Sequence, residues 1–127
     1  MSLRVVDAAA LAFLGERHLA TLTTIRPDGS PHVVPVGFTY DPERNLVRII
    51  TGAGSRKVAH LRSGGRAVVC QVDGRRWITL EGLGRVTADP ADVAEAVRRY
   101  EGRYRPPREN PTRVAIEIAV DRVLGRG

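Results

Sequence analysis

The stretch HLATLTTIRPDGSPHVVPVGFTY, residues 18–40, decides how this chain must fold. Its first part, His18 to Ile25, alternates. Ala20 and Leu22 fall on one face of an extended segment and Thr21 and Thr23 on the other, the period-two pattern of a half-buried strand. Arg26-Pro27-Asp28-Gly29-Ser30 follows. Proline presets φ at the second turn position, and glycine two residues later accepts a backbone conformation that other residues avoid. The chain reverses there. A second strand, Pro31 to Tyr40, carrying Val33, Val34, Val36 and Phe38, is expected to return antiparallel to the first.

Working outward, Asp7 is placed to cap a short helix whose apolar stripe includes Leu11 and Leu14. Downstream, Asp41-Pro42-Glu43-Arg44-Asn45 is a second turn, and Leu46 to Thr51 is a β-branched strand. The loop Gly52-Ala53-Gly54 opens a short helix, Ser55 to Leu61, stopped by Ser63-Gly64-Gly65. Arg66 to Val72 and Arg76 to Thr87 form a hairpin about Asp73-Gly74, and Gly82 and Gly84 predict a bulge or a close backbone approach. Asp89-Pro90 starts a helix with Val93, Val97, Tyr100 and Tyr104 on one face, ended by the loop Pro106 to Pro111. A last strand, Val114 to Val120, should turn Ile116 and Ile118 inward and Glu117 outward. Strands joined by hairpins pair antiparallel, which excludes a doubly wound α/β fold. The expectation is a mainly β (α+β) chain: six strands in a small closed barrel with flanking helices, one domain over residues 1–127.

With 127 residues and 43% hydrophobic content, the chain has enough material for one cored domain. The single cysteine, Cys70, sits in an apolar run, so no internal disulfide is available and a cytoplasmic location is expected. The apolar stretch Ala8 to Leu14 is too short to span a bilayer. The net charge is +6 and the pI about 10.6. That balance suits a polyanionic ligand, but the basic residues are dispersed and aromatic content is only 5%, which argues against nucleic acid. Lys57 is the only lysine among 20 lysine and arginine residues.

Gly52-Ala53-Gly54-Ser55-Arg56-Lys57 carries the most informative chemistry. A strand ends, a glycine loop turns and a helix begins, and helix N-termini attract anions. Arg56 and Lys57 in the first turn oppose the helix dipole, and a docked anion would reverse that sign. A serine cap followed by two solvated cations fits the same letters. Trp77, the only tryptophan, stands near a barrel rim, where it either covers a planar ring at a subunit interface or simply packs. His18, His32 and His60 lack metal-ligand spacing, so no metal site is expected. No nucleophile elbow and no dinucleotide fingerprint occur. Arg98, Arg99, Arg103, Arg105 and Arg108 form a basic cluster that reads as a solvated face or as the approach for an acidic substrate.

The order of these elements, with Ser55-Arg56-Lys57 after the third strand and Arg76-Trp77 on a later one, resembles the pyridoxamine 5′-phosphate oxidase-like split-barrel superfamily. Within it the chain is similar to the deazaflavin (coenzyme F-420) dependent reductases, the branch that reduces biliverdin included. Glu16 to Ala20, Ser30 to Val34, Gly37-Phe38-Thr39, Gln71 to Gly74, Leu80-Glu81-Gly82, Arg103-Tyr104-Arg105, Asn110-Pro111 and Arg122 to Gly125 carry the match over nearly the whole chain. The segment after Leu124 departs from the vitamin B6 oxidases, since it lacks the tryptophan and arginine they use for substrate. The resemblance implies a six-stranded antiparallel split β-barrel of the FMN-binding type. It implies a homodimeric oxidoreductase with coenzyme F-420 as cofactor, FMN being the alternative, and hydride transfer to a conjugated substrate, a tetrapyrrole such as biliverdin. It further implies that Ser55, Arg56 and Lys57 hold the cofactor's phosphate or acidic tail. Pro35, Val36, Ile49, Ile50 and Thr51 would lie along its ring, and Gln71 and Trp77 would come from the partner subunit. A non-catalytic deazaflavin or tetrapyrrole carrier remains the rival of another class.

Overall fold

The computed structural model describes residues 6–126. Its elements run α1 (Ala8–Gly15), β1 (Ala20–Ile25), β2 (Pro31–Val36), β3 (Thr39–Asp41), β4 (Leu46–Gly52), α2 (Arg56–Leu61), β5 (Gly65–Asp73), β6 (Arg76–Thr87), α3 (Pro90–Arg103) and β7 (Arg113–Arg126). The expectation of one domain over residues 1–127 thus includes residues 1–5 and 127, which lie outside the described residues. The local signals act as anticipated. Asp7 caps α1 by accepting from the Ala10 amide at 2.8 Å, Gly29 turns the first hairpin at φ 87°, and Asp89 caps α3 with Pro90 in its first turn.

One element breaks where the sequence predicts continuity. The segment Pro31 to Tyr40 is two strands, because the chain changes sheet edge at Gly37-Phe38. The seven strands lie in the order β2-β1-β5-β6-β7-β4-β3, so β2 and β3, consecutive in sequence, form opposite edges of one antiparallel sheet. A sheet whose two edges are covalently joined must curl on itself. Its interior holds Leu22, Phe38, Val47, Ile49, Leu80, Ile116 and Ile118, each at most 2% exposed, and each contributing about 1.5–3 kcal/mol of apolar burial. This is a split barrel with seven strands, one more than expected. The bulge expected in β6 is present: the β6–β7 register shifts between Glu81 and Gly82. A Cβ added at Gly82 would lie 1.8 Å from the Ala119 carbonyl oxygen, so only glycine fits.

Helix α3 packs on the outer face of β3, β4 and β7, which gives the outward-facing Glu117 a cover that the strand pattern does not show. Glu117 does face away from Ile116 and Ile118, yet it is buried beneath the helix side of the sheet and accepts two bonds from Arg85, at 2.7 and 3.0 Å. Beside it, Arg48 and Asp41, 3% and 2% exposed, form a buried ion pair at 2.9 Å. Over the other outer face, on β2, β1, β5 and β6, no helix lies among the described residues. Val33, Val72, Trp77 and Leu83 are exposed there, at 56%, 59%, 38% and 59%.

Candidate functional site at the split of the barrel

Strand β3 is short, and that creates the site. It pairs with β4 as Thr39 with Arg48, Tyr40 with Val47 and Asp41 with Leu46. Continued, the register would set Gly37 against Ile50 and Val36 against Thr51. Instead the chain has left to pair with β1, Val36 lying opposite Ala20. Pro35, Val36 and Gly37 on one side and Ile50 and Thr51 on the other therefore line an opening of about 270 Å³, with Lys57, Tyr100, Pro107, Asn110 and Arg113 completing it. Edge strands present alternate backbone N–H and C=O groups without ladder partners. A planar ligand lying in the split would find polar backbone on both sides. Gly37 widens the opening, since a Cβ there would come within 3.1 Å of the Tyr100 ring and 3.2 Å of the Tyr104 ring.

Lys57 supplies the charge. Helix α2 holds it against the split through buried Val58 and Leu61 and a 2.8 Å hydrogen bond between the His60 ring and the Thr24 hydroxyl. The sequence places Lys57 on an exposed helix start; in the structure it is half-buried, and burial lowers its ammonium below the usual range. No carboxylate lines the opening. The helix dipole contributes little, because α2 has six residues and Ser55 makes no side-chain cap. The Ser55 hydroxyl accepts instead from Thr51 at 3.3 Å. Nearby, the His32 imidazole is lowered by desolvation first and then by the neighbouring His60 ring and the cations Arg26, Arg56 and Lys57. Among the described residues the cations around α2 have no acid paired with them, which fits an anionic ligand group.

The other predicted residues separate. Pro35, Val36, Ile50, Thr51 and Lys57 come together in the split; Ser55 and Arg56 adjoin it at the start of α2. Ile49 does not join them, since its side chain points into the barrel core and is 2% exposed. Gln71 is wholly buried within its own chain, donating to the Phe13 carbonyl at 2.9 Å and accepting from Arg103 at 2.6 Å. Its amide is committed to bonds within its own chain. Trp77 stands on the uncovered outer face. Sequence reasoning missed Gly37, Pro107, Asn110 and Arg113 as lining residues, and took Tyr100 for a helix-face residue only. The one available signal was a glycine, Gly37, inside an otherwise apolar strand pattern.

The arginine cluster also divides. Arg98 and Arg99 pair with Glu95 at 2.6 and 2.7 Å. Arg103 bridges the Glu16 and Phe38 carbonyls and Gln71 while lying 4.6 Å over the Phe38 ring. These three are structural. Arg105 and Arg108 are exposed and have no ion-pair partner among the described residues. Glu16, His18 and Asp73 meet within 4.8 Å, a juxtaposition invisible in sequence spacing. Arg76 lies across it, 2.6 Å from each carboxylate, and offsets part of their charge.

The sequence pattern of the pyridoxamine 5′-phosphate oxidase family matches residues 6–127. An F420H(2)-dependent biliverdin reductase of Mycobacterium tuberculosis is 56% identical over 116 residues, 91% of this chain and 85% of that protein. Among solved structures, a conserved hypothetical protein of the same organism superposes with a TM-score of 0.81 at 22% identity, covering 97% of this chain and 85% of the other. An F420 reductase superposes with a TM-score of 0.70 at 24% identity, covering 89% and 94%. The two structures share the fold.

Proposed function

The chain belongs to the pyridoxamine 5′-phosphate oxidase family, and from that premise we propose that it is an F420H2-dependent reductase that converts biliverdin to bilirubin. The observation that carries the reading is the split itself: a slot between two unpaired strand edges, lined by no acid, with a half-buried Lys57 at its end that has no ion-pair partner among the described residues. The 56% identity to an F420H(2)-dependent biliverdin reductase supplies the cofactor and substrate.

When bound, the reduced deazaflavin supplies a hydride for the central methine carbon of the substrate, and a proton goes to a pyrrole nitrogen. The chain's own residues bind and orient. The backbone of Pro35, Val36, Ile50 and Thr51 flanks the ring, and Lys57, with Ser55 and Arg56 beside it, holds the acidic tail. No nucleophile is needed, so positioning and charge compensation are the protein's contribution. The uncovered outer face seats a second copy. Pro35 projects outward on β2 and also lines the opening, so a partner resting on that face walls the site and brings its own Trp77 toward the ring. Among the described residues no helix is long and apolar enough to cross a membrane.

The test is a fluorescence titration with F420, followed by incubation with F420H2 and biliverdin. The two should be consumed one for one. Purification with a yellow, oxygen-reactive flavin in the site would count for FMN instead, and F420 binding without turnover would make the chain a carrier.

A further inference from the structure

Two more hollows adjoin the split. One, of about 400 Å³, is lined by Arg17, His18, Leu19, Tyr100, Tyr104 and Arg105. The other, of about 460 Å³, is lined by Tyr100, Arg105, Pro106, Pro107 and Arg108. Tyr100 is common to both and to the split, and Arg105 to both, so the three run together as one groove. No carboxylate lines any of them. Arg17, Arg105 and Arg108 are exposed, and among the described residues none has an ion-pair partner. That contrasts with Arg98, Arg99 and Arg76 nearby, each matched to an acid.

We propose that Arg17, Arg105 and Arg108 form a second anion subsite that takes the carboxylates of the conjugated substrate. The inference rests on reading the split as the cofactor's place. The guanidiniums come from two loops, one before β1 and one after α3. Those loops are fastened to each other: the Tyr104 hydroxyl donates to the His18 carbonyl at 2.6 Å, and Arg103 donates to the Glu16 carbonyl at 2.7 Å. The forks are therefore held on a fixed base, which reduces the ordering cost of binding. Between them lies an apolar and aromatic wall. Leu19 is 63% exposed, and the Tyr100 and Tyr104 rings pack with centroids 4.9 Å apart. An oligocarboxylate tail on the cofactor would use the charges but not the wall. A flat, apolar, conjugated molecule bearing two carboxylates uses both.

The protein loaded with oxidised F420, which supports no turnover, is titrated with biliverdin and with its dimethyl ester, following the visible absorption of the bilin. The variants are Arg17→Gln, Arg105→Gln and their double. Arg98→Gln removes the same charge outside the groove and controls for net charge. Each groove variant should weaken biliverdin binding about tenfold, the scale of one lost charged hydrogen bond. The double variant should lose most of the wild-type preference for biliverdin over the ester, keeping only what Arg108 supplies, and F420 affinity by fluorescence should hold within twofold. Wild-type preference for the ester, or bilin binding unchanged in the double variant, overturns the subsite. A variant that loses F420 affinity but keeps bilin affinity assigns the arginines to the cofactor's tail and also overturns it. Failure of the parent reading gives a separate signal, absence of F420 binding in the wild type.

Discussion

Lys57 shows how a single residue was half legible. Its rarity in an arginine-rich chain singled it out, and the glycine loop before it suggested an anion. What sequence does not contain is its burial, which depends on how closely α3 and its following loop approach α2. Lys57→Ala should weaken F420 binding by about 1–3 kcal/mol, the range for a lost charged hydrogen bond. Its thermal midpoint should not fall, because the folded state already disfavours this ammonium. A calorimetric loss of stability with unchanged cofactor affinity would contradict the role given to it. Asp41 is the opposite case, a turn residue on paper and a buried anchor in space. Burial raises its carboxyl, but the Arg48 bond, the Arg44 amide and Arg99 more than offset that and leave it below its usual range. Asp41→Ala strands the Arg48 guanidinium in the core and should cost about 3–5 kcal/mol in urea unfolding.

Elements were legible wherever a turn residue fixed them and illegible where packing did. The hairpins at Gly29 and Gly74 and the full extent of β6 were readable from glycine placement and alternation. The break at Gly37-Phe38 was not, because both halves keep the same alternating apolar pattern and only the pairing partner changes. Glu117 misled for a related reason: period two gives the face of a strand, not what covers that face. Helix α3 covers it, tied to the sheet by Asp92, which accepts from Arg85 and Thr87, and by Arg99 on Asp41. Within the helix, the Glu95 carboxyl is brought to about 2 by Arg98 first and then Arg99. Glu16, on the loop after α1, is held at about 2 by Arg76 and then His18. Both carboxyls lie below 4.5 when folded, so their stabilisation is complete above 4.5 and is lost as the pH falls toward 2. The thermal midpoint should decline across that window. In Glu95→Gln the decline should be shallower, and an unchanged slope would remove Glu95 from the account.

For the whole molecule, composition and hairpin order were enough to exclude α/β folds and reach a barrel, and the basic balance pointed to an acidic ligand. The site needed three dimensions, since it is made by strand pairs that fail to form. The uncovered face with Val72, Trp77 and Leu83 leads to a prediction about assembly. The wild type should sediment as a dimer, and Val72→Glu with Leu83→Glu should give a folded monomer that binds F420 less tightly. A wild-type monomer holding F420 at full affinity would refute a shared site. The junction Gly37-Phe38 has a mechanical meaning as well. It acts like the clasp of a hoop, the only covalent tie between the two ends of the sheet. Permuting the chain so that new termini fall at this clasp would spare every ladder hydrogen bond yet let the hoop spring open, and the slot would lose its width while the strands stayed intact.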